Sequence, residues 1–136
     1  WLGANSGLAG DVYTVTVSNV EWLKERQDLI HAARDEPKTY EELQAGAGLT
    51  RPGYDRHHVV EQTWAEYFGF SRSQIDDPSN LVSIPRLKHY QITGWYGKKN
   101  DQFGGLTPRE YSSDKSWDER MRVGREAMIL FKVLKP

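Results

Sequence analysis

Apolar and polar positions follow patterns along the chain that divide it into short elements. Over residues 12–17, β-branched residues alternate with others, which predicts a strand. Ser18 and Glu21 have the spacing of a capping box, so a helix is predicted from there to about Arg34, before Pro37. The N-terminal part of the chain therefore predicts one strand followed by one helix.

The middle of the chain has the pattern of a strand, a connecting segment over residues 61–80 (the excursion), a second strand and a helix. Short runs of apolar and β-branched residues predict strands at 54–60 and 81–84, and residues 61–68 predict one or two helical turns between them. Pro85 suits the first position of a helix, which is predicted to end near Tyr96. This order brings two short strands next to the helix that follows them.

Capping signals predict three further helices. Thr39, Thr107 and Ser116 each stand three residues before a glutamate, which is the spacing of a capping box or helix start. The helix after Ser116 is predicted to extend to about Val133. Met128 lies near helical spacing with the other apolar residues of that helix, so we expect it to belong to the core.

Length and composition bound the class of protein. The chain has 136 residues, enough for one domain with a hydrophobic core. Residues 1–10 are small and glycine-rich, so we expect a linker or N-terminal arm there and a single domain over residues 11–136. Cysteine is absent, which excludes disulfides, cysteine-ligated zinc and a thiol nucleophile. No apolar run approaches the roughly 20 residues of a membrane span, and none is expected.

Charge is distributed unevenly along the chain. The net charge is −1, which by itself argues weakly against binding of nucleic acid. Residues 19–48 carry seven acids and four bases, whereas residues 49–99 carry five acids and seven bases. Between residues 86 and 99 there are four bases and no acid. This locally positive segment suits a phosphate backbone, and it suits an ordinary solvated face equally well.

Three of the four histidines fall within 33 residues of each other and carry the candidate chemistry. His57 and His58 are adjacent on a predicted strand, where neighbouring side chains project to opposite faces. His89 lies inside the next predicted helix, so it approaches the same place if that helix packs across the strands. Hydrolysis of a phosphodiester needs a base for the attacking water and a cation for the developing charge. One histidine of the pair can turn towards a metal while the other faces the phosphate.

His57-His58, Asn80 and His89 resemble the motif of HNH, or His-Me finger (ββα-metal), endonucleases. The interval of nine residues from Asn80 to His89 matches the interval usual in that family. The histidine pair is similar to the one in colicin-type DNases and in the C-terminal nuclease domains of bacterial polymorphic (Rhs or type VI-like) toxins. The resemblance covers roughly residues 51–96.

The resemblance implies a role for each matching residue. His57 and His89 would bind the metal, and His58 would be the general base for water. Asn80 would stabilise the loop between the strands and help to orient His58. Asp55 would orient a basic side chain or a ligand histidine. The candidates for contacts with phosphate or DNA are Arg56, Arg86 and Lys88.

The chain departs from the family pattern in two places. Many HNH enzymes carry cysteine pairs that build a structural zinc site, and this chain has none. A further polar metal ligand is common in the family four residues after the helical histidine. At that position, four residues after His89, this chain has Thr93 and has lost the ligand. Two protein ligands completed by water and phosphate suit a hard ion. The expected cofactor is therefore a divalent metal, Mg²⁺ before Mn²⁺, Zn²⁺ or Ni²⁺.

Together these patterns predict an α+β fold: a ββα-metal core wrapped by helices, with an N-terminal strand and helix as an elaboration. The resemblance implies a single nuclease domain over residues 11–136 that hydrolyses DNA with a metal ion and little sequence specificity. It also implies the toxin domain of a larger antibacterial effector, secreted by a bacterium and acting in the cytoplasm of the target cell. The implied partners are the DNA substrate and a cognate immunity protein.

Two alternatives from other functional classes remain open. A non-catalytic module on the same scaffold would bind nucleic acid or protein without metal and without cleavage. A metal-independent RNase toxin would use the same histidines as acid and base, and would stay active in chelator with cyclic phosphate products.

Overall fold

A computed structural model describes the backbone of residues 6–136 and the side chains of residues 19–136. Over that range the α-helices are α1 (Ser6–Ala33), α2 (Tyr40–Ala45), α3 (Gln62–Tyr67), α4 (Arg72–Ile75), α5 (Arg86–Tyr96), α6 (Pro108–Ser112) and α7 (Trp117–Leu130). The strands are β1 (Tyr54–His58) and β2 (Leu81–Pro85), which form one antiparallel sheet. Short 3₁₀ turns lie at Gly46–Gly48, Pro78–Asn80 and Asp101–Phe103. The expected α+β class is confirmed.

The strand predicted over residues 12–17 is wrong, because these residues lie inside α1. A lone strand leaves its backbone N–H and C=O groups unpaired, whereas a helix pairs them internally. The capping box at Ser18 is wrong for the same reason, since α1 is already helical there. The predicted end near Arg34 agrees with the observed end at Ala33. Of the expected linker, residues 1–5 lie outside the described residues and residues 6–10 form the start of α1.

The other three capping predictions are confirmed. Thr39 and Thr107 each accept a hydrogen bond from the backbone N–H three residues on, and the glutamate at that position bonds back to the cap. Ser116 accepts from the N–H of Glu119 at the start of α7. Such caps satisfy N–H groups that a helix start otherwise leaves unpaired.

The two strands and α5 form a compact unit in the middle of the chain. In the sheet His57 lies opposite Val82 and His58 opposite Leu81. β1 ends at His58, earlier than predicted, and Val59 continues into the core with no exposed surface. α5 starts directly after β2 and packs against both strands. The order of elements predicted from the sequence is therefore observed.

The C-terminal half of α1 docks beside the turn that leads into β1. Gly53 in that turn has a φ of +81°, and a Cβ there would collide with the backbone carbonyl of Asp28 on α1. Glycine meets both needs, because it adopts positive φ without strain and lets the two backbones approach. Among the described helices, including the 28 residues of α1, none combines the length and the apolar composition needed to cross a membrane.

The hydrophobic core lies between the sheet, α5 and α7. Ile84 of β2, Ile92 of α5 and Val123 and Met128 of α7 are almost fully buried, so the core role expected for Met128 is confirmed. α7 passes close behind the end of β1, where a Cβ at Gly124 would collide with the carbonyl oxygen of Val59. This contact fixes the segment that follows His58.

Candidate active site

A cleft of about 390 Å³ opens at the end of β1, between that strand, α3, α5 and α6. His57, His58 and His89 all line it, so the fold brings together the three histidines singled out from the sequence. The charged side chains on its wall are Arg56, Glu61 and Arg109. His57 and His58 were expected to project to opposite faces of the strand, and both residues border the cleft.

His57 is the most buried of the three histidines. The residue is 5% exposed, and its Nε2 has no hydrogen-bond partner among the described residues. Burial lowers the pKa of His57 to about 3, and the neighbouring His89 and His58 rings act in the same direction. The ring is therefore neutral near pH 7. A neutral imidazole nitrogen buried without a partner is an uncommon arrangement that a ligand can satisfy.

His89 stands edge-on to His57, with the ring centroids 5.0 Å apart. Its Nδ1 donates to Asp55 Oδ2 at 2.9 Å, and Arg86 Nε donates to the other oxygen of the same carboxylate, also at 2.9 Å. Burial alone would raise the pKa of Asp55, but the hydrogen bonds and charges of His89 and Arg86 outweigh it and lower that pKa. Asp55 thus contacts both a basic side chain, Arg86, and a candidate ligand histidine, His89.

The separation of the His57 and His89 rings is compatible with both rings binding one metal ion. With Asp55 holding Nδ1–H of His89, the lone pair of that ring is on Nε2. Two imidazoles bound to one ion at metal–nitrogen distances of about 2.1 Å have centroids about 4.5 to 5.5 Å apart, which includes the observed separation. Among the described side chains, no group of three or more His, Cys, Asp or Glu residues is arranged to hold an ion. Two imidazole ligands leave coordination positions on such an ion that water or a substrate oxygen can fill.

His58 is half-buried and bonds to a residue that the sequence did not suggest. Its Nε2 lies 2.9 Å from Oδ1 of Asp76, the residue that ends α4. This hydrogen bond is the largest effect on the pKa of Asp76, which it lowers, and Arg72 lowers that pKa further. No sequence spacing points to this pair, because Asp76 follows a helix of four residues that was not predicted.

Asn80 is fully buried and joins the two ends of the excursion between the strands. Its Oδ1 accepts from the N–H of Val60 at 2.7 Å, and its Nδ2 donates to the carbonyl oxygens of Val60 and Ile75. Its own carbonyl accepts from the N–H of Val59. The residue therefore bonds to the loop after His58, which is where the resemblance placed it.

Of the three basic residues proposed for phosphate contacts, only Arg56 lines the cleft, and its side chain is exposed. Arg86 is bonded to Asp55. Lys88 lines a separate small depression beside Asp35 and Glu36, so the structure does not bring it to the histidines.

Glu61 and Arg109 are cleft residues that sequence reasoning missed. Arg109 donates from Nε and Nη2 to the two oxygens of Glu61, at 2.9 and 2.8 Å. The pair joins α6 to the segment between β1 and α3 across 48 residues of sequence. No local pattern in the sequence predicts so distant a partner for Arg109.

The chain was compared with protein-family models, curated proteins and solved structures, and none of the three comparisons found a match.

Proposed function

We propose that this chain is a metal-dependent endonuclease that hydrolyses DNA phosphodiester bonds with little sequence specificity. One observation carries the proposal: the buried Nε2 of His57 has no hydrogen-bond partner among the described residues and lies beside His89, in a cleft that His58 also lines. The resemblance of these residues to HNH endonucleases supports the same function. The order of the elements around them, β1, β2 and then α5, supports a ββα-metal core.

In this proposal His57 and His89 hold a divalent ion, Mg²⁺ first among the candidates. When bound, the ion supplies positive charge for the scissile phosphate and the leaving oxygen. Asp55 keeps the His89 ring in the orientation and tautomer of a ligand, through the hydrogen bond at 2.9 Å. His57 needs no deprotonation near neutral pH, because its pKa is about 3.

His58 takes the proton of the attacking water as general base. It lines the same cleft as the two ligand histidines, which is the placement a base for the attacking water requires. Arg56 contacts the phosphate backbone from the cleft wall. Trp64 of α3 also lines the cleft and is 41% exposed, which makes it available to the sugar or base beside the scissile bond.

We also propose the biological setting that the resemblance implies. The domain is the toxin part of an antibacterial effector secreted by a bacterium, it acts in the cytoplasm of the target cell, and a cognate immunity protein binds it. The support for this setting is the likeness of the histidine pair to that of colicin-type DNases and polymorphic toxins.

Cleavage of supercoiled plasmid by the purified chain tests the proposed activity. Reactions contain Mg²⁺, Mn²⁺, Zn²⁺, Ni²⁺ or EDTA, and each is repeated with His58→Ala. We expect nicking that requires a divalent ion and is lost in the variant. His31→Ala is the matched control, because His31 lies on α1 and not in the cleft, and it should cleave like the wild type.

The same reactions separate the proposal from its two alternatives. Degradation of RNA in EDTA with cyclic phosphate products would favour the metal-independent RNase. Retarded but intact DNA under every condition would favour a binding module. Either result, from a protein with a folded circular dichroism spectrum, would contradict metal-dependent DNA hydrolysis.

A further inference from the structure

Asp76, which forms a hydrogen bond with His58, is not among the residues that the resemblance suggests. The Nε2 of His58 and Oδ1 of Asp76 are 2.9 Å apart. The His58 side chain is 15% exposed and that of Asp76 is 48% exposed, so the bond lies at the edge of the cleft. An ionised carboxylate can only accept, so Nε2 carries the hydrogen.

We propose that Asp76 is a positioning residue that holds His58 in the Nε2–H tautomer and leaves Nδ1 as the nitrogen that accepts a proton. This inference rests on the proposed function for its catalytic meaning. Asp76 acts through His58 and has no contact with substrate in the proposal.

The carboxylate of Asp76 is itself held in place. Nη2 of Arg72 donates to both of its oxygens, at 2.8 and 3.0 Å. Arg72 is in turn bonded to Gln62 and Glu66 of α3, each at 3.2 Å. The two short helices of the excursion thus orient the acceptor of the His58 hydrogen bond.

Asn80 fixes the distance between the two partners through the backbone. It bonds to Val60, two residues after His58, and to Ile75, one residue before Asp76. All of these bonds are buried, whereas those of Arg72 are exposed. The buried amide therefore sets the backbone position, and the exposed carboxylate sets the ring orientation.

The tautomer decides which atom of His58 can act as a base. In a neutral imidazole one nitrogen carries hydrogen and the other carries the lone pair. Without the carboxylate both tautomers are populated, and the fraction with the lone pair on Nδ1 falls. Because the His58–Asp76 bond is largely exposed, its loss should change stability little. A positioning role and a structural role therefore predict different results.

Nitrogen NMR of the neutral His58 ring measures its tautomer independently of DNA cleavage. Two-bond ¹H–¹⁵N spectra are recorded on metal-free protein in EDTA, and the His58 signals are assigned with His58→Ala. We expect the Nε2–H pattern in the wild type and in Asp76→Glu, and a shift towards the Nδ1–H pattern in Asp76→Ala, which removes the acceptor. An Nδ1–H ring in the wild type, or an unchanged ring in Asp76→Ala, would overturn the proposal.

Plasmid cleavage by the same proteins tests the catalytic meaning. Asp76→Ala should lower kcat by about 10- to 100-fold with KM within about twofold, since a positioned base contributes about 10²- to 10⁴-fold. Asp76→Glu should recover part of the rate. The matched control is Asp114→Ala, which removes a carboxylate that is 79% exposed and lies outside the cleft. Equal kcat in Asp76→Ala and Asp114→Ala would overturn the positioning role.

The two readouts separate this inference from the proposed function. If the wild type cleaves DNA but Asp76→Ala keeps the wild-type tautomer and rate, Asp76 is not a positioning residue and the nuclease proposal stands. If the ring changes tautomer in Asp76→Ala but the wild type never cleaves, the nuclease proposal fails while the control of the ring by Asp76 is supported.

Discussion

At the scale of single residues, the three histidines of the cleft differ in their burial and in their hydrogen-bond partners. His57 is buried without a hydrogen-bond partner for Nε2 among the described residues, while His58 and His89 each bond to a carboxylate. The sequence could pick out these histidines because the pair and the interval to His89 are local features. It could not predict Asp76, since the bond to His58 depends on how the excursion folds.

The buried His57 makes stability depend on pH in the metal-free protein. Its pKa is about 3 in the folded chain against an ordinary value of 6.5, so between pH 6.5 and pH 3 the unfolded state takes up a proton that the folded state does not. The wild type should therefore lose about 2 to 3 kcal/mol more than His57→Asn between pH 7 and pH 4.5. Urea unfolding in EDTA at both pH values measures this difference. Parallel losses in the two proteins would contradict burial of a neutral His57.

The carboxylate of Asp55 should matter for the metal through His89. Asp55→Asn weakens the hydrogen bond that fixes the tautomer of His89 and the contact with Arg86. We expect about 10- to 100-fold weaker metal affinity, the usual effect of removing such a partner. Calorimetric titration with Mn²⁺ measures it, with Asp114→Asn as the control. Unchanged affinity in Asp55→Asn would show that Asp55 does not orient a ligand.

At the scale of elements, the sequence was reliable where the signal is local and failed where pairing is required. The capping signals at Thr39, Thr107 and Ser116 are observed because each is satisfied within four residues. The strand expected over residues 12–17 failed, because β-branched composition favours a strand only where a neighbouring strand is present. Strands β1 and β2 were predicted because turn residues and apolar runs marked both of them.

The packing of α7 behind β1 gives a prediction at this scale. Gly124→Ala would place a Cβ against the backbone and side chain of Val59, so we expect a loss of about 1 to 3 kcal/mol in the free energy of unfolding. Gly48→Ala is the control, because a Cβ there meets nothing within 4 Å. Urea denaturation compares the two. Equal stabilities would mean that α7 is not in close contact with the segment after His58.

At the scale of the whole molecule, the cleft is assembled from segments that are far apart in sequence. The pair Glu61–Arg109 crosses 48 residues and joins α6 to the segment between β1 and α3. Its side chains are 19% and 26% exposed. Composition and spacing carry no information on such contacts. The pairing of Glu61 with Arg109 is therefore visible only in the structure.

A double-mutant cycle tests whether this pair holds the cleft together. Glu61→Gln and Arg109→Met, singly and combined, should give a coupling of about 1 to 3 kcal/mol, because a bidentate, partly buried pair forms charge-assisted hydrogen bonds. The comparison pair is Glu66 and Arg72, which are 57% and 44% exposed and should couple by less than about 1 kcal/mol. Similar couplings for both pairs would contradict a special role for Arg109.

The central claim is that His57 and His89 hold the ion while His58 acts as the base. A titration of Mg²⁺ or Mn²⁺ in plasmid cleavage by the wild type, His57→Ala, His89→Ala and His58→Ala tests this division of roles most directly. We expect the two ligand variants to need at least about 10-fold more metal for half-maximal rate, and His58→Ala to stay inactive at every concentration. Activity in His58→Ala equal to the wild type, or an unchanged metal requirement in both ligand variants, would contradict the account.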